Sequence, residues 1–386
     1  MSTLKVDGIR SNSATSDAIT LASDGTCAAN ITSINGGQFA NRNKIINGGM
    51  TVSQRQTSTT NSNAFIVDRF QGSVTQMDQL AQTLEQSSDA PDGFSKSIKI
   101  TTTTPETSID TNEQFRVQTK LEGQNFQDLE YGTSSAKSIT ISFYVKASVT
   151  GTFGFTVYRE ESTDRVITAP YTINSANTWE RKTITITGDT AGPAITDDNT
   201  ERFRLMWGLA AGSQFNTASP SWSDYSSANL LGGHVTNTLV TTNNATWQLT
   251  GVQLEVGSVA TDFEHKSFAQ ELQLCKRYYQ QYVNIMSAGY VPDNGSRVYG
   301  LGLNFPVEMR AAPSITLTNT GSSSGQSISD GSGGANITSL LSSGSGVNHA
   351  EFSVNLSSDL TDFRVAVAYG AGYTVRETTY KLSAEL

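Results

Sequence analysis

Along much of this chain the apolar residues fall at every second position. "SKSIKITT" sets Ile98 and Ile100 on one face, and "KSITISFYVKAS" lines up Ile139, Ile141, Phe143 and Val145. "EQFRVQTKLEG" alternates less regularly through Phe115, Val117 and Leu121, and "GTFGFTVYRE" groups Phe153, Phe155 and Val157. "WERKTITITGD", "RFRLMWGLA" and "NNATWQLTGVQLEVG" extend the pattern. A period of two belongs to strands with one buried and one solvated face. Strands of this length, separated by turn residues, predict an all-β chain whose main unit is a jelly-roll-like antiparallel sandwich over residues 41–266.

The period changes in "FEHKSFAQELQLCKRYYQQYV". Ser267 and Gln270 match the S-x-x-Q capping box that opens a helix. Phe268, Leu272, Cys275 and Tyr279 share one helical face, and Glu271 and Arg277 stand near ends of the favourable dipole sign. The spacing predicts a linking helix within 267–282, about three turns long. Such a helix needs packing to be stable. The tyrosines that follow can return to an extended conformation. In "RVYGLGLNFPVEM", strict alternation puts Val298, Gly300, Gly302 and Asn304 on one face and Tyr299, Leu301, Leu303 and Phe305 on the other. The Gly/Ser run from Gly321 to Gly346 reads as a loop, or two loops around a short strand. Residues 283–386 then form a second, smaller β domain. Residues 1–40 hold short β-like pieces between Asp-Gly and Asn-Gly turns and have no core of their own. They read as an extended segment, either a disordered tail or one that orders only against identical chains or a docking partner.

Composition narrows the function. Acids outnumber bases 35 to 26 and the net charge is −9, which argues against nucleic acid and against anionic membrane surfaces as partners. No apolar run approaches the ~20 residues of a membrane span, so no membrane insertion is expected. The start lacks the apolar stretch of a signal peptide, so synthesis in a cytosol without secretory export is expected. Cys27 and Cys275 are far apart and make no disulfide framework. His234, His265 and His349 match no zinc motif, and no phosphate-binding loop or nucleophile elbow is present, so no cofactor is expected.

Two kinds of residue carry candidate chemistry. Asp197, Asp198 and Glu201 in "TDDNTE" are a weak candidate for calcium, which favours clustered oxygens, although a charged turn explains them better. Glu160–Glu161 and Asp197–Asp198 are the carboxylate pairs a glycosidase would use, but adjacent acids on a strand point apart. The aromatics offer binding instead. Trp207 and Trp247 lie in alternating strands and read as core. Trp222 and Tyr225 in "SPSWSDYSS" are candidates to stack on a sugar ring, unless the loop folds back and buries Trp222. Tyr290, Tyr299, Tyr369 and Tyr373 stand beside glycines in the last domain and form a second candidate surface. Rigid tyrosines among Ser, Gly and Asn are a common binding chemistry.

Three segments together resemble bacteriophage tail-fibre proteins of marine and freshwater phages, cyanophages among them. They are "NKIINGGMTVSQRQ…FIVDRF", "WQLTGVQLEVGSVATDFEHKSFAQELQLCKRYY", and "FPVEMRAAPSITL" with the terminal "SAEL". The opening "LKVDGIRSNSATSDAITLASDG" is similar to the virion-proximal part of such fibres. The sandwich is similar in style to carbohydrate-binding modules. The resemblance implies a homotrimeric, non-enzymatic fibre on the virion tail. Its N-terminal segment would dock on a tail or adaptor protein, and its distal domain would recognise a host surface glycan. It supplies no receptor residues. A glycan depolymerase and a structural or decoration protein of the virion are the alternatives.

Overall fold

The structure, a computed structural model, describes residues 8–9, 19–21, 23, 27–29, 41–283, 287–291, 296–319, 327–329, 334–359, 365–369 and 378–386. Near the N-terminus, Gly8–Ile9, Ile19–Leu21 and Cys27–Ala29 form a small antiparallel sheet.

The main unit is a β-sandwich. One sheet has six strands in the order Glu180–Ile186, Ile139–Ala147, Thr246–Val256, Ser97–Thr104, Ala81–Ser87, Ser58–Thr59. The other has seven, in the order Ser223–Asp224, Arg165–Thr168, Phe155–Arg159, Glu201–Ala211, Gln114–Glu122, Phe70–Thr75, Phe65–Val67. The alternating apolar residues fill the space between the sheets. Phe115, Val117, Phe155, Phe203 and Trp207 of one meet Ile98, Ile141, Phe143 and Trp247 of the other, all fully buried. Trp207 and Trp247 are core, as their alternation predicts. Phe143 meets the Trp207 ring edge-on at 5.8 Å and 89°, a favoured aromatic geometry.

The linking helix is Phe268–Lys276, shorter than the spacing predicts. Its capping box is present: Gln270 N–H donates to Ser267 Oγ, and Ser267 N–H donates to Gln270 Oε1 at 3.0 Å. Its buried face differs from the expected one. Glu271 and Cys275 point inward, while Phe268 is 59% exposed. The reason is a polar anchor: Glu271 Oε2 accepts from the Asn47 amide at 2.8 Å, which rotates the helix away from a purely apolar contact. Tyr279 lies in the following strand, Tyr279–Val283.

That strand joins Thr378–Ser383 and Ser314–Asn319 in a three-stranded sheet. Beside it a closed six-stranded barrel runs Ser287–Tyr290, Arg297–Asn304, His349–Leu356, Gly334–Ser345, Ser327–Ser329, Val365–Tyr369. Two expectations fail in the barrel. The Gly/Ser run is loop only in part, because Gly334–Ser345 is a twelve-residue strand with Ala335 and Ile337 buried. Its partners on both sides supply the hydrogen bonds that its small side chains do not predict. Strict alternation also breaks in Arg297–Asn304. The register shifts between Val298 and Leu301, and Gly300 takes φ +75°. Val298 and Leu301 are both buried in consequence, and Tyr299 faces outward.

Sandwich and C-terminal unit meet through charge and aromatic contacts. Arg69, 2% exposed at its side chain, pairs with Glu385, and its guanidinium lies 3.5 Å from the Tyr278 ring centroid. Arg55 also pairs with Glu385, at 2.8 Å, and sits over the rings of Phe65 and Tyr279. Arg277 grips Glu122 through two hydrogen bonds of 3.0 and 2.9 Å. The Arg277-Tyr278-Tyr279 run is thus a joint between two β units. Among the described residues no helix is long and apolar enough to cross a membrane.

Candidate functional site

The seven-stranded sheet carries a mostly polar face opposite the core, with Gln114 and Gln118 themselves buried in it. Alternation sends Gln114, Arg116, Gln118 and Lys120 to the side opposite Phe115 and Val117. Their neighbours across the strands are Gln71, Ser73 and Thr75 on one side and Arg204, Met206 and Gly208 on the other. A connected row of hydrogen bonds crosses this face. Arg116 Nε donates to Gln118 Oε1 at 2.9 Å, and Gln118 Nε2 donates to Gln71 Oε1 at 3.3 Å. Gln114 Nε2 donates to Thr75 Oγ1 at 2.5 Å, and Gln114 Oε1 is buried with no partner among the described residues.

The long connection after Glu201–Ala211 folds back over one side of the face. Leu230, Leu231 and Phe215 cover Met206, forming a small apolar cluster with Tyr158 and Tyr225. Ser223–Asp224 adds to the sheet edge at Arg165–Val166, which fixes the position of Tyr225. The Tyr225 ring meets that of Tyr158 edge-on at 5.1 Å, and Arg204 lies 5.1 Å from the Tyr158 ring centroid. His234 latches the connection down: Gly154 N–H donates to its Nδ1 at 3.1 Å, and its Nε2 is 3.2 Å from Asn237 Oδ1. Nδ1 is therefore the acceptor and Nε2 carries the proton. Burial lowers the His234 pKa to about 4.

At the far end the face meets the C-terminal unit, where Lys120 donates to the Leu386 carbonyl at 3.0 Å and pairs with Glu201 at 2.9 Å. Arg204 also pairs with Glu201, at 2.5 Å, and more loosely with Glu160, at 3.7 Å. Burial and the charge of Glu201 hold the Glu160 carboxyl above its ordinary value.

The residues singled out from sequence divide. Tyr225 stands on this face. Trp222 does not: its loop folds back, its Nε1 donates to the Thr187 carbonyl at 2.7 Å, and its ring packs edge-on against Tyr131. Tyr290 and Tyr299 come together as direct cross-strand neighbours on the barrel, 45% and 36% exposed. Gly300 and Gly302 beside them have open space where a Cβ would stand. Tyr369 ends a barrel strand that pairs with Ser287–Tyr290, and Tyr373 lies outside the described residues. The calcium candidates are not assembled. Asp198 is taken by Arg202 and Thr200, and Glu201 by Arg204 and Lys120. Asp197 is exposed, and no metal-type cluster occurs among the described residues.

A second concavity of about 410 Å³ lies where the sandwich meets the helix. Phe94, Phe263 and His265 wall it with mutual ring distances of 5.0, 4.9 and 5.3 Å, and Lys266 and Glu271 lie at its edge. Phe94 reaches this position because Gly251, at φ +62°, has no Cβ to strike its ring.

The sequence reading missed Arg116, Gln118, Gln71 and Arg204. The one available signal was the outward register opposite Phe115 and Val117, which any solvated strand also shows.

No family model matches the chain, and no curated protein matches it. Among solved structures it is similar to the enzymatically active domain of tailspike protein 4 of bacteriophage CBA120. The identity is 11%, the TM-score 0.31, and the match covers 55% of this chain and 21% of that one, a small part of its length. It is also similar to the family 11 carbohydrate-binding module of Lic26A-Cel5E from Clostridium thermocellum, with 11% identity, 54% and 98% coverage, and a TM-score of 0.27. A third is TmCBM61 in complex with β-1,4-galactotriose, with 7% identity, 56% and 99% coverage, and a TM-score of 0.27.

Proposed function

We propose that the chain is a non-catalytic attachment protein that binds a surface glycan on the outer face of the seven-stranded sheet. The observation that carries this reading is the linked row of Gln71, Gln118 and Arg116 beside Tyr225, Tyr158 and Arg204. Amides and guanidinium groups pair with the vicinal hydroxyls of a sugar, and a tyrosine ring offers its face to the apolar C–H side. An antiparallel sheet can leave one face to solvent, which suits an extended ligand. The resemblance to tail-fibre proteins supports the wider reading. In that reading the protein is a homotrimer on a phage tail, docked through its N-terminal segment and acting outside the host cell. Three identical weak sites gain by avidity.

Titration calorimetry with host surface polysaccharide tests the site. Gln118→Ala and Tyr225→Ala should each weaken binding about tenfold, the loss expected for one well-placed polar or stacking contact. Undiminished binding in both variants rejects this face as the site. Light scattering tests the assembly, and a single-chain mass rejects the trimer. A depolymerase is the competing reading, favoured only by the raised carboxyl of Glu160 beside Glu201. Loss of polysaccharide chain length on incubation, abolished in Glu160→Gln, would establish it in place of passive binding.

A further inference from the structure

The strands of the seven-stranded sheet hold five arginines, and four of them meet carboxylates. Arg159 and Arg165 share Asp189, Arg202 pairs with Asp198, and Arg204 pairs with Glu201. Arg116 is the fifth. Its Nε donates to Gln118, and among the described residues no carboxylate stands within ion-pair distance of it. This occurs in a chain with 35 acids to 26 bases, where an acidic partner is easy to supply. The position is also recessed. Gly208, directly across from Arg116, lets His234 and Leu231 of the folded-back connection close down as a wall. Ser73 stands opposite on the other side. Burial, and then the charge of Arg204, lower the Arg116 pKa to about 10. A desolvated cation without a counter-ion is unfavourable, and proteins generally pair such groups.

We infer that Arg116 is the subsite for an acidic sugar: its two free Nη groups receive the carboxylate of a hexuronic-acid unit, and Gln118 and Ser73 stand beside it for ring hydroxyls. This rests on the glycan-binding reading of the same face and specifies its ligand class. End-on pairing of a guanidinium with a carboxylate makes two parallel charge-assisted hydrogen bonds, which a lysine or an amide would not reproduce. Arg204 is held by Glu201, so it adds positive potential beside the carboxylate without competing for it.

The test uses the full chain and hexuronan polysaccharides such as polygalacturonate and alginate. Each is offered intact and with its carboxyl groups reduced to hydroxymethyl groups. The intact chain should prefer the acidic form by about tenfold or more, the size of one charge-assisted contact. In Arg116→Gln that preference should vanish, so that the acidic and reduced forms bind alike. A parallel measurement follows the Arg116 side-chain N–H resonance, which sodium glucuronate should shift and glucose should not. Equal binding of acidic and reduced forms, or a preference that survives in Arg116→Gln, overturns the inference and leaves a neutral-glycan site standing. A glucuronate-induced shift with no polysaccharide bound retains the carboxylate subsite and rejects the glycan-attachment reading. No shift and no preference rejects the subsite.

Discussion

The sandwich and the C-terminal unit are both antiparallel β structures, but they divide their aromatic residues differently between core and surface. In the sandwich the large rings point inward. Trp207 alone touches Phe70, Phe143 and Phe155, at 6.2, 5.8 and 5.3 Å. Among the described residues of the C-terminal unit the core holds Val298, Leu301, Ile337, Val354 and two large rings, Phe352 and Tyr380, 5.1 Å apart, while Tyr290 and Tyr299 stand outside. The first arrangement fills the core with large rings and leaves polar groups on the opposite face of the sheet. The second keeps a smaller core and leaves Tyr290 and Tyr299 part-exposed.

The largest effect should come from Trp207→Ala, which leaves a cavity among those rings. It should cost about 3–5 kcal/mol in urea unfolding. Val298→Ala in the barrel should cost about 2 kcal/mol, because fewer methyl groups are lost. If the two variants unfold in one shared transition, the units are a single cooperative body and the contrast is one of local packing only.

Next comes the joint. Glu385→Ala leaves Arg69 buried and unpaired and should cost about 3 kcal/mol, the low end for breaking a buried pair because Arg55 retains Asp68. Hydrogen exchange should then show faster opening of Tyr279–Val283 than of Gln114–Glu122. Equal protection in both strands would mean that the joint does not depend on this pair.

Acid should act on the sandwich through His234. Its folded pKa, about 4, lies below the ordinary 6.5, so the unfolded chain binds the extra proton. Stability from this group is complete above pH 6.5 and declines as pH falls toward 4, by on the order of 2–3 kcal/mol. Protonating Nδ1 would set N–H against the Gly154 amide. His234→Gln should flatten the decline between pH 6.5 and 4, and an unchanged slope would assign it to other groups. Asp189 acts lower. Burial raises it, but its bonds to Arg165 and the charges of Arg159 and Arg165 leave it below the ordinary carboxylate value. Its contribution is therefore lost only as pH falls through that lowered value.

The smallest change in stability is expected for Tyr299→Ala, within about 0.5 kcal/mol, since the ring stands outside the core. A larger loss in melting temperature would show that the outward tyrosines hold the barrel together.

Much of this architecture was legible in the chain. Ser267 and Gln270 announced the helix start because a capping box depends on neighbours four residues apart at most. Phe143, Trp207 and Trp247 announced the core because alternation reports burial directly. The bulge at Gly300 was not legible, since one glycine among alternating residues does not say whether the chain keeps its register. The strand Gly334–Ser345 was hidden because its bonds come from partners distant in sequence. Arg116 was hidden for a related reason. Its isolation is a property of strands brought side by side, and no local pattern distinguishes an arginine without a carboxylate partner from one that has one.

The joint at Glu385 has a consequence for exchange of parts. Removing residues 286–386 would take Glu385 away with them. The remaining sandwich would carry Arg69 and Arg55 stripped of their shared carboxylate, and its polar sheet face would lose the contact at Lys120. A recombinant that acquires a different distal unit therefore inherits a requirement along with it. The incoming segment must bring an acid to the place of Glu385, so the sandwich filters which C-terminal units can be grafted onto it.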